Sequence, residues 1–199
     1  MTFKQYHRNK TNLNYFVSFV FFVVSSLRFF VLSSEPVHLM FSGLQITSVL
    51  EDLGITHVVW LPDSAIGPWE HALESSAKLQ LVRVCREAEA WGIAAGLRIG
   101  GKRPLVLIQS TGFFEGSDAM RNFVHDLKLP LFALVGYRSY NIASSTDSAK
   151  RFVEPVITAW GLDYVLLKQA RDLPLLSEHY RACQAANKPG VALLAEGQG

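Results

Sequence analysis

Glu87 is the side chain of this sequence best placed for acid–base chemistry. It sits in the run Val82-Arg83-Val84-Cys85-Arg86-Glu87-Ala88-Glu89-Ala90-Trp91-Gly92-Ile93-Ala94-Ala95-Gly96, where a strand-like stretch gives way to a helix of small residues. That position puts a carboxylate at the mouth of a sheet. A carboxylate at such a mouth is placed to exchange a proton with a bound ligand. The small residues that follow allow another backbone, or a flat cofactor, to come close. The helix dipole alone would also accommodate a glutamate in a first turn. Glu89 stands two residues on, about 200° around the helix, so the two carboxylates do not face one ligand.

Other catalytic devices are missing from the sequence. No G-x-G-x-x-G follows a strand, and there is no G-x-x-x-x-G-K-[ST], G-x-S-x-G or H-E-x-x-H. The six histidines are isolated, and none is spaced as a metal pair. Nucleotide-binding and hydrolase readings lose their usual support, and no metal site is expected on this chain.

The elements that must position Glu87 alternate between helical and strand-like periodicity. Ser42 can cap a helix through Leu53, with Ile46, Val49, Leu50 and Leu53 on one face and Gly54 as its stop. Val58–Leu61 reads as a buried strand, Ile66–Ala77 as helix, Leu81–Val84 as a second strand and Arg86–Ile99 as helix. Pro104–Ile108 is the most strand-like run; a glycine-containing turn over Ser110–Gly116 then leads into a helix through about Leu127. Strands are expected at Leu129–Val135, Tyr164–Leu167 and Val191–Leu194. A polar loop is expected over Tyr137–Thr146, a helix over Asp147–Trp160, and a last helix capped by Asp172 and carrying Leu175, Leu176, His179 and Tyr180.

Apolar strands separated by helices specify an α/β fold, a mostly parallel sheet with helices on both faces. Ligands bind such sheets beyond the carboxyl ends of the strands. Three segments fall there: Pro62-Asp63-Ser64, Cys85-Arg86-Glu87 and Gln109-Ser110-Thr111-Gly112.

The bulk numbers narrow the field. A chain of 199 residues carries one domain with a sizeable core. Hydrophobic residues at 49%, against 18% charged, describe a folded protein. A formal charge of +2 with scattered cations offers no nucleic-acid-binding stripe. Cys85 and Cys183 form no disulfide framework or metal spacing, which points to a reducing, cytoplasmic compartment. Cys85, at the end of an apolar run, reads as a small buried hydrophobe rather than a reactive thiol.

Residues 1–39 differ from the rest. Lys4, Arg8 and Lys10 precede the apolar run Tyr15–Val24, and a second apolar patch, Phe29–Leu32, follows Arg28. The segment reads as a membrane anchor, a signal peptide or a misassigned start ahead of Met40, with a domain over 40–199. A membrane is a partner only if the anchor reading holds.

The motifs after Met40 carry a resemblance. Glu87 followed by Gly92-Ile93-Ala94-Ala95-Gly96, then Gly100-Gly101-Lys102-Arg103-Pro104, an apolar strand, Gln109-Ser110-Thr111-Gly112, Leu129-Pro130-Leu131 and Gly136-Tyr137-Arg138 together resemble the pyrimidine-binding domain of thiamine-diphosphate enzymes. The similarity covers roughly Ser42–Ala195. It is greatest to sulfopyruvate decarboxylase alpha subunits and phosphonopyruvate decarboxylases.

The resemblance implies a thiamine-diphosphate-binding fold of the pyrimidine-domain type. It makes Glu87 the catalytic carboxylate that hydrogen-bonds the aminopyrimidine ring nitrogen of the cofactor. It makes Gln109, Ser110, Thr111 and Gly112 cofactor-binding residues, in place of a family Gln-Asn-Ser-Gly. Pro62, Asp63 and Ser64 become a substrate-facing loop, and Arg138 a partner for an anionic substrate group. A capped turn explains the Asp63 loop nearly as well, and a surface ion pair explains Arg138 equally. Ser110 and Thr111 depart from the family pattern, and Phe113-Phe114-Glu115 replaces Leu-Gly-Asn with an apolar, acidic stretch less suited to sulfonate or phosphonate.

The sequence has no Gly-Asp-Gly, and its asparagines after Gly112 (Asn122, Asn141 and Asn187) lie in other contexts. The resemblance therefore implies a separate diphosphate-binding chain carrying Gly-Asp-Gly and holding Mg2+, in a hetero-oligomer. The expected activity is decarboxylation of a small 2-keto acid. The alternative is a noncatalytic binding or regulatory module that retains the fold.

Overall fold

The computed structural model describes residues 40–197; the N-terminal extension read from the sequence lies outside them. Ser42 opens α1 (Gly43–Asp52) with the expected device. Its hydroxyl accepts from the Gln45 N–H, and the Gln45 side chain accepts from the Ser42 N–H at 2.8 Å. Gly54, at φ +70°, stops the helix in a conformation that costs glycine nothing.

The strands are β1 (His57–Trp60), β2 (Gln80–Arg83), β3 (Pro104–Gln109), β4 (Phe132–Tyr137), β5 (Asp163–Leu167) and β6 (Gly190–Ala195). They form one six-stranded sheet of order β2-β1-β3-β4-β6-β5 in which every pair is parallel. Between them lie α2 (Glu70–Glu74), α3 (Glu87–Ile99), α4 (Ser110–Glu115), α5 (Ser117–Arg121), α6 (Ser148–Ala159) and α7 (Leu173–Ala185).

Alternation along the strands divides the core between the two faces. Val58, Trp60, Leu105, Leu107, Leu134 and Leu194 pack with Ile46 and Leu50 of α1, Trp69, and Leu176 and Tyr180 of α7. Val59, Val106, Ile108, Val135 and Leu193 pack with Ala90, Trp91, Ala94 and Ala95 of α3, Phe113 of α4, and Val153 and Ile157 of α6. The expected α/β architecture, with helices on both faces, is thus present.

Several local expectations are corrected. Ser110–Glu115 is a helix rather than a turn, because Phe113 is fully buried against Trp91, an edge-on pair with centroids 6.4 Å apart. Beyond it α5 gives way to a π-helical stretch, Asn122–Asp126. The helix expected over Ile66–Ala77 shrinks to a 3-10 turn, Gly67–Trp69, and the five residues of α2. Tyr137 belongs to β4, not to the loop, and is buried. Asp172 precedes α7 without capping it; its carboxylate accepts instead from the Lys168 and Gln169 N–H groups. Cys85 is exposed, because β2 is an edge strand that ends at Arg83. Among the described residues no helix is long and apolar enough to cross a membrane.

Ser42→Ala removes one half of the reciprocal cap. Urea unfolding should show a loss of about 1 kcal/mol with an unchanged denaturant slope.

Candidate functional site

A parallel sheet points the carboxyl ends of all its strands to one edge. Adjacency of β2, β1 and β3 makes neighbours of the three segments singled out by sequence. The connection from β1 to β2 packs Trp69 and Leu73 on one face, and α3, between β2 and β3, packs on the other. The chain therefore reverses direction at β1 and β3, and such a switch point opens a crevice.

Glu87 begins α3 beside this crevice and is half-buried. Among the described residues its carboxylate has no hydrogen-bond partner, whereas the acids around it are engaged. Glu89 turns back to accept from the Cys85 N–H at 3.1 Å. Glu115 accepts from the Arg86 guanidinium Nε at 3.1 Å and from the Ala88 N–H at 3.0 Å. The Arg86 hydrogen bond, with help from Ala88, holds the Glu115 carboxyl below the usual range. Glu115 thus ties α4 to the first turn of α3 instead of acidifying the cleft.

Gly112 completes the arrangement. A Cβ at this position would overlap the Glu87 Oε1 and Cγ atoms and lie 2.7 Å from Cδ. Only a glycine lets the carboxylate rest directly on the α4 backbone. The remaining expected cofactor residues lie along the same turn. Ser110 is buried, with its hydroxyl 3.4 Å from the Arg138 N–H, and exposed Thr111 donates to the Gln109 Oε1 at 3.2 Å.

The substrate-facing candidates divide. Pro62 and Ser64 are exposed. The Asp63 Oδ1 accepts from the Ala65 and Ile66 N–H groups at 2.6 and 3.0 Å, while its Oδ2 is buried without a partner. Burial raises the Asp63 pKa against those two hydrogen bonds and the nearby Arg138 charge. Arg138 is half exposed and pairs with Asp147, Nε to Oδ2, at 2.9 Å.

One functional candidate was not singled out from sequence. Glu196 follows β6, is only 8% exposed, and accepts from the Gln109 Nε2 at 3.2 Å. Its Oε1 has no partner. Gly136 leaves room for it: a Cβ there would overlap Oε1 and lie 2.9 Å from Cδ. Burial, then the Asp63 charge, push the Glu196 carboxyl up to about 7, against the Gln109 hydrogen bond and Arg138. The signal in the sequence is a lone acid directly after the apolar run Val191–Ala195. No metal-binding group of three or more His, Cys, Asp or Glu occurs among the described residues.

The family described as thiamine pyrophosphate enzyme, N-terminal TPP binding domain, matches residues 42–166. Sulfopyruvate decarboxylase of Methanosarcina acetivorans is 27% identical over 116 residues, covering 57% of this chain and 30% of that protein. The sulfopyruvate decarboxylase alpha subunit of Methanocaldococcus jannaschii is 24% identical over 99 residues, covering 50% of this chain and 59% of that subunit. A phosphonopyruvate decarboxylase of Streptomyces viridochromogenes is 24% identical over 99 residues, covering 50% of this chain and 25% of that enzyme. The aligned part of the chain therefore spans less than two thirds of each relative. Glu87, Gln109–Gly112 and Arg138 fall inside the family match, and Glu196 lies beyond its end.

Gly112→Ala should force the Glu87 carboxylate off the α4 backbone at a cost of about 1–3 kcal/mol, read as a fall in the urea midpoint; Thr111→Ala should leave it nearly unchanged. Glu196 carries a second expectation. Its folded pKa, about 7, lies above the ordinary carboxyl value of 4.5, so the native state binds its proton more tightly than the unfolded state does. Stability from this group is complete below about pH 4.5 and is lost as the pH rises through 7, a difference of roughly 3 kcal/mol. Glu196→Gln should flatten that part of a stability–pH curve.

Proposed function

The chain belongs to the thiamine pyrophosphate enzyme family of N-terminal TPP-binding domains, and we propose that it is the alpha-type subunit of a thiamine-diphosphate-dependent 2-keto acid decarboxylase. The substrate class of this reading is a short 2-keto acid, the class to which the sulfopyruvate and phosphonopyruvate named for the relatives belong. The observation that carries it is the Glu87 carboxylate, at the carboxyl edge of the sheet, without a hydrogen-bond partner among the described residues and seated on the bare backbone of Gly112.

This setting fits the aminopyrimidine ring. A carboxylate without a partner among the described residues is free to hydrogen-bond the ring nitrogen. Ser110, Thr111 and Gly112 bring their backbone to the same place, and Gly112 removes the side chain that would stand in the way. Glu115, through Ala88 and Arg86, fixes the helix start from which Glu87 projects. When bound, thiamine diphosphate supplies the electron sink for loss of CO2 from the 2-keto acid.

A partner chain follows from the same reading. The diphosphate and Mg2+ would be held by a second subunit bearing Gly-Asp-Gly, a motif missing from this sequence. Two relatives named as alpha subunits support such a division. On α3, Ile93 and Ile99 are exposed, apolar surface that a second chain would cover. Two free thiols, Cys85 and Cys183, accord with a cytoplasmic location.

The test joins the full chain to a candidate partner containing Gly-Asp-Gly and measures CO2 release with thiamine diphosphate and Mg2+. Release should require both chains and fall at least about 100-fold in Glu87→Gln, with an unaltered circular dichroism spectrum. A folded complex that binds no cofactor would overturn the decarboxylase reading in favour of the noncatalytic module.

A further inference from the structure

On the face of the sheet opposite α3, four neighbouring strand ends converge. By the alternation that places Leu105, Leu107, Leu134 and Leu194 on this face, the next positions on it are Gln109, Gly136 and Glu196. Gln109 and Gly136 are in register on β3 and β4, and Asp63 arrives from the end of β1. The backbone of Glu196 is itself fixed there. Its N–H bonds to the Tyr137 carbonyl at 3.2 Å, and its carbonyl accepts from Asn141 at 2.9 Å.

These groups form a place short of hydrogen-bond donors. The Asp63 Oδ2 and Glu196 Oε1 atoms are both buried without a partner. The Gln109 amide nitrogen is used on Glu196 Oε2, and its oxygen is used by Thr111. Arg138, the cation whose charge reaches both carboxyls, is committed to Asp147. Buried acceptors left unmatched are costly, so a ligand that supplies donors gains and one that adds negative charge loses.

Resting on the decarboxylase reading, we propose that Asp63 and Glu196, backed by the bare Gly136, form a specificity subsite that takes the far end of the substrate and selects a 2-keto acid bearing a hydrogen-bond donor there, such as a hydroxyl, over one ending in a phosphonate dianion. Glu87 serves the cofactor from the α3 side of the edge, and the acid pair reads the substrate from the other. Gln109 joins the two, since it holds Glu196 and opens the turn that ends at Gly112.

The experiment compares hydroxypyruvate, pyruvate and phosphonopyruvate with the assembled complex at pH 8, where Glu196, with its pKa near 7, carries its charge. Wild type should prefer hydroxypyruvate to phosphonopyruvate in kcat/KM by at least about tenfold, the scale on which an unmatched buried polar group discriminates. Glu196→Gln should cross the order, lowering kcat/KM for hydroxypyruvate and raising it for phosphonopyruvate; Asp63→Asn should act in the same direction. A purely structural role would lower both substrates together. Titration calorimetry of the same ligands in the Glu87→Gln background, where turnover is suppressed, should show the same crossing in affinity. CO2 release by wild type with an identical ranking in all three proteins would overturn the subsite and leave the decarboxylase reading intact. A wild-type complex that releases CO2 from no 2-keto acid would overturn the function itself, and the subsite with it.

Discussion

The parallel ladder is the constraint from which the rest follows. Six strands all run the same way, so every connection must cross the sheet, and the crossing segments bury both of its faces. With both faces occupied, the carboxyl edge is where polar residues from several strands meet without disrupting the core. Glu87, Asp63, Gln109 and Glu196 are far apart in sequence yet all lie at that edge, each within a few residues of a strand end.

Two carboxylates at this edge are seated by the same device. Gly112 and Gly136 each lack a Cβ where one would collide with a glutamate, so Glu87 and Glu196 lie against bare backbone. Their surroundings then separate them. Glu87 is half-buried at a helix start, whereas Glu196 is enclosed beside a second carboxyl and is driven toward neutrality. Residue type is the same; burial, with the neighbouring Asp63 charge, raises the pKa of Glu196.

The remaining acids near Glu87 serve the backbone. Glu89 accepts from the Cys85 N–H just ahead of the helix, and Glu115 satisfies the Ala88 N–H, a donor that the helix start leaves open. Of these three acids, Glu87 is the one without a hydrogen-bond partner among the described residues. Phe113, which on paper makes the loop apolar, is the anchor that packs α4 against Trp91 and brings Gly112 to its position.

Periodicity and caps in the sequence by themselves determined the α/β class, the strands, Ser42 as a cap and the expectation that Glu87 lies at a strand-to-helix junction. These are local properties, set by side-chain spacing and by backbone groups within a few residues. The family resemblance was legible for a similar reason, since its motifs are short runs of fixed order. Tertiary structure alone decided what depends on contacts between distant segments. The Ser110–Glu115 helix exists because Trp91 buries Phe113, Cys85 is exposed because its strand is at an edge, and Asp172 spends its carboxylate on a turn instead of a cap. Glu196 shows the limit most clearly: a single acid after an apolar strand gives no periodic signal, and its character arises only when Gly136, Gln109 and Asp63 close around it, because burial and electrostatic neighbourhood are set by the packing of strands far apart in the chain, Gln109 and Glu196 being 87 residues apart.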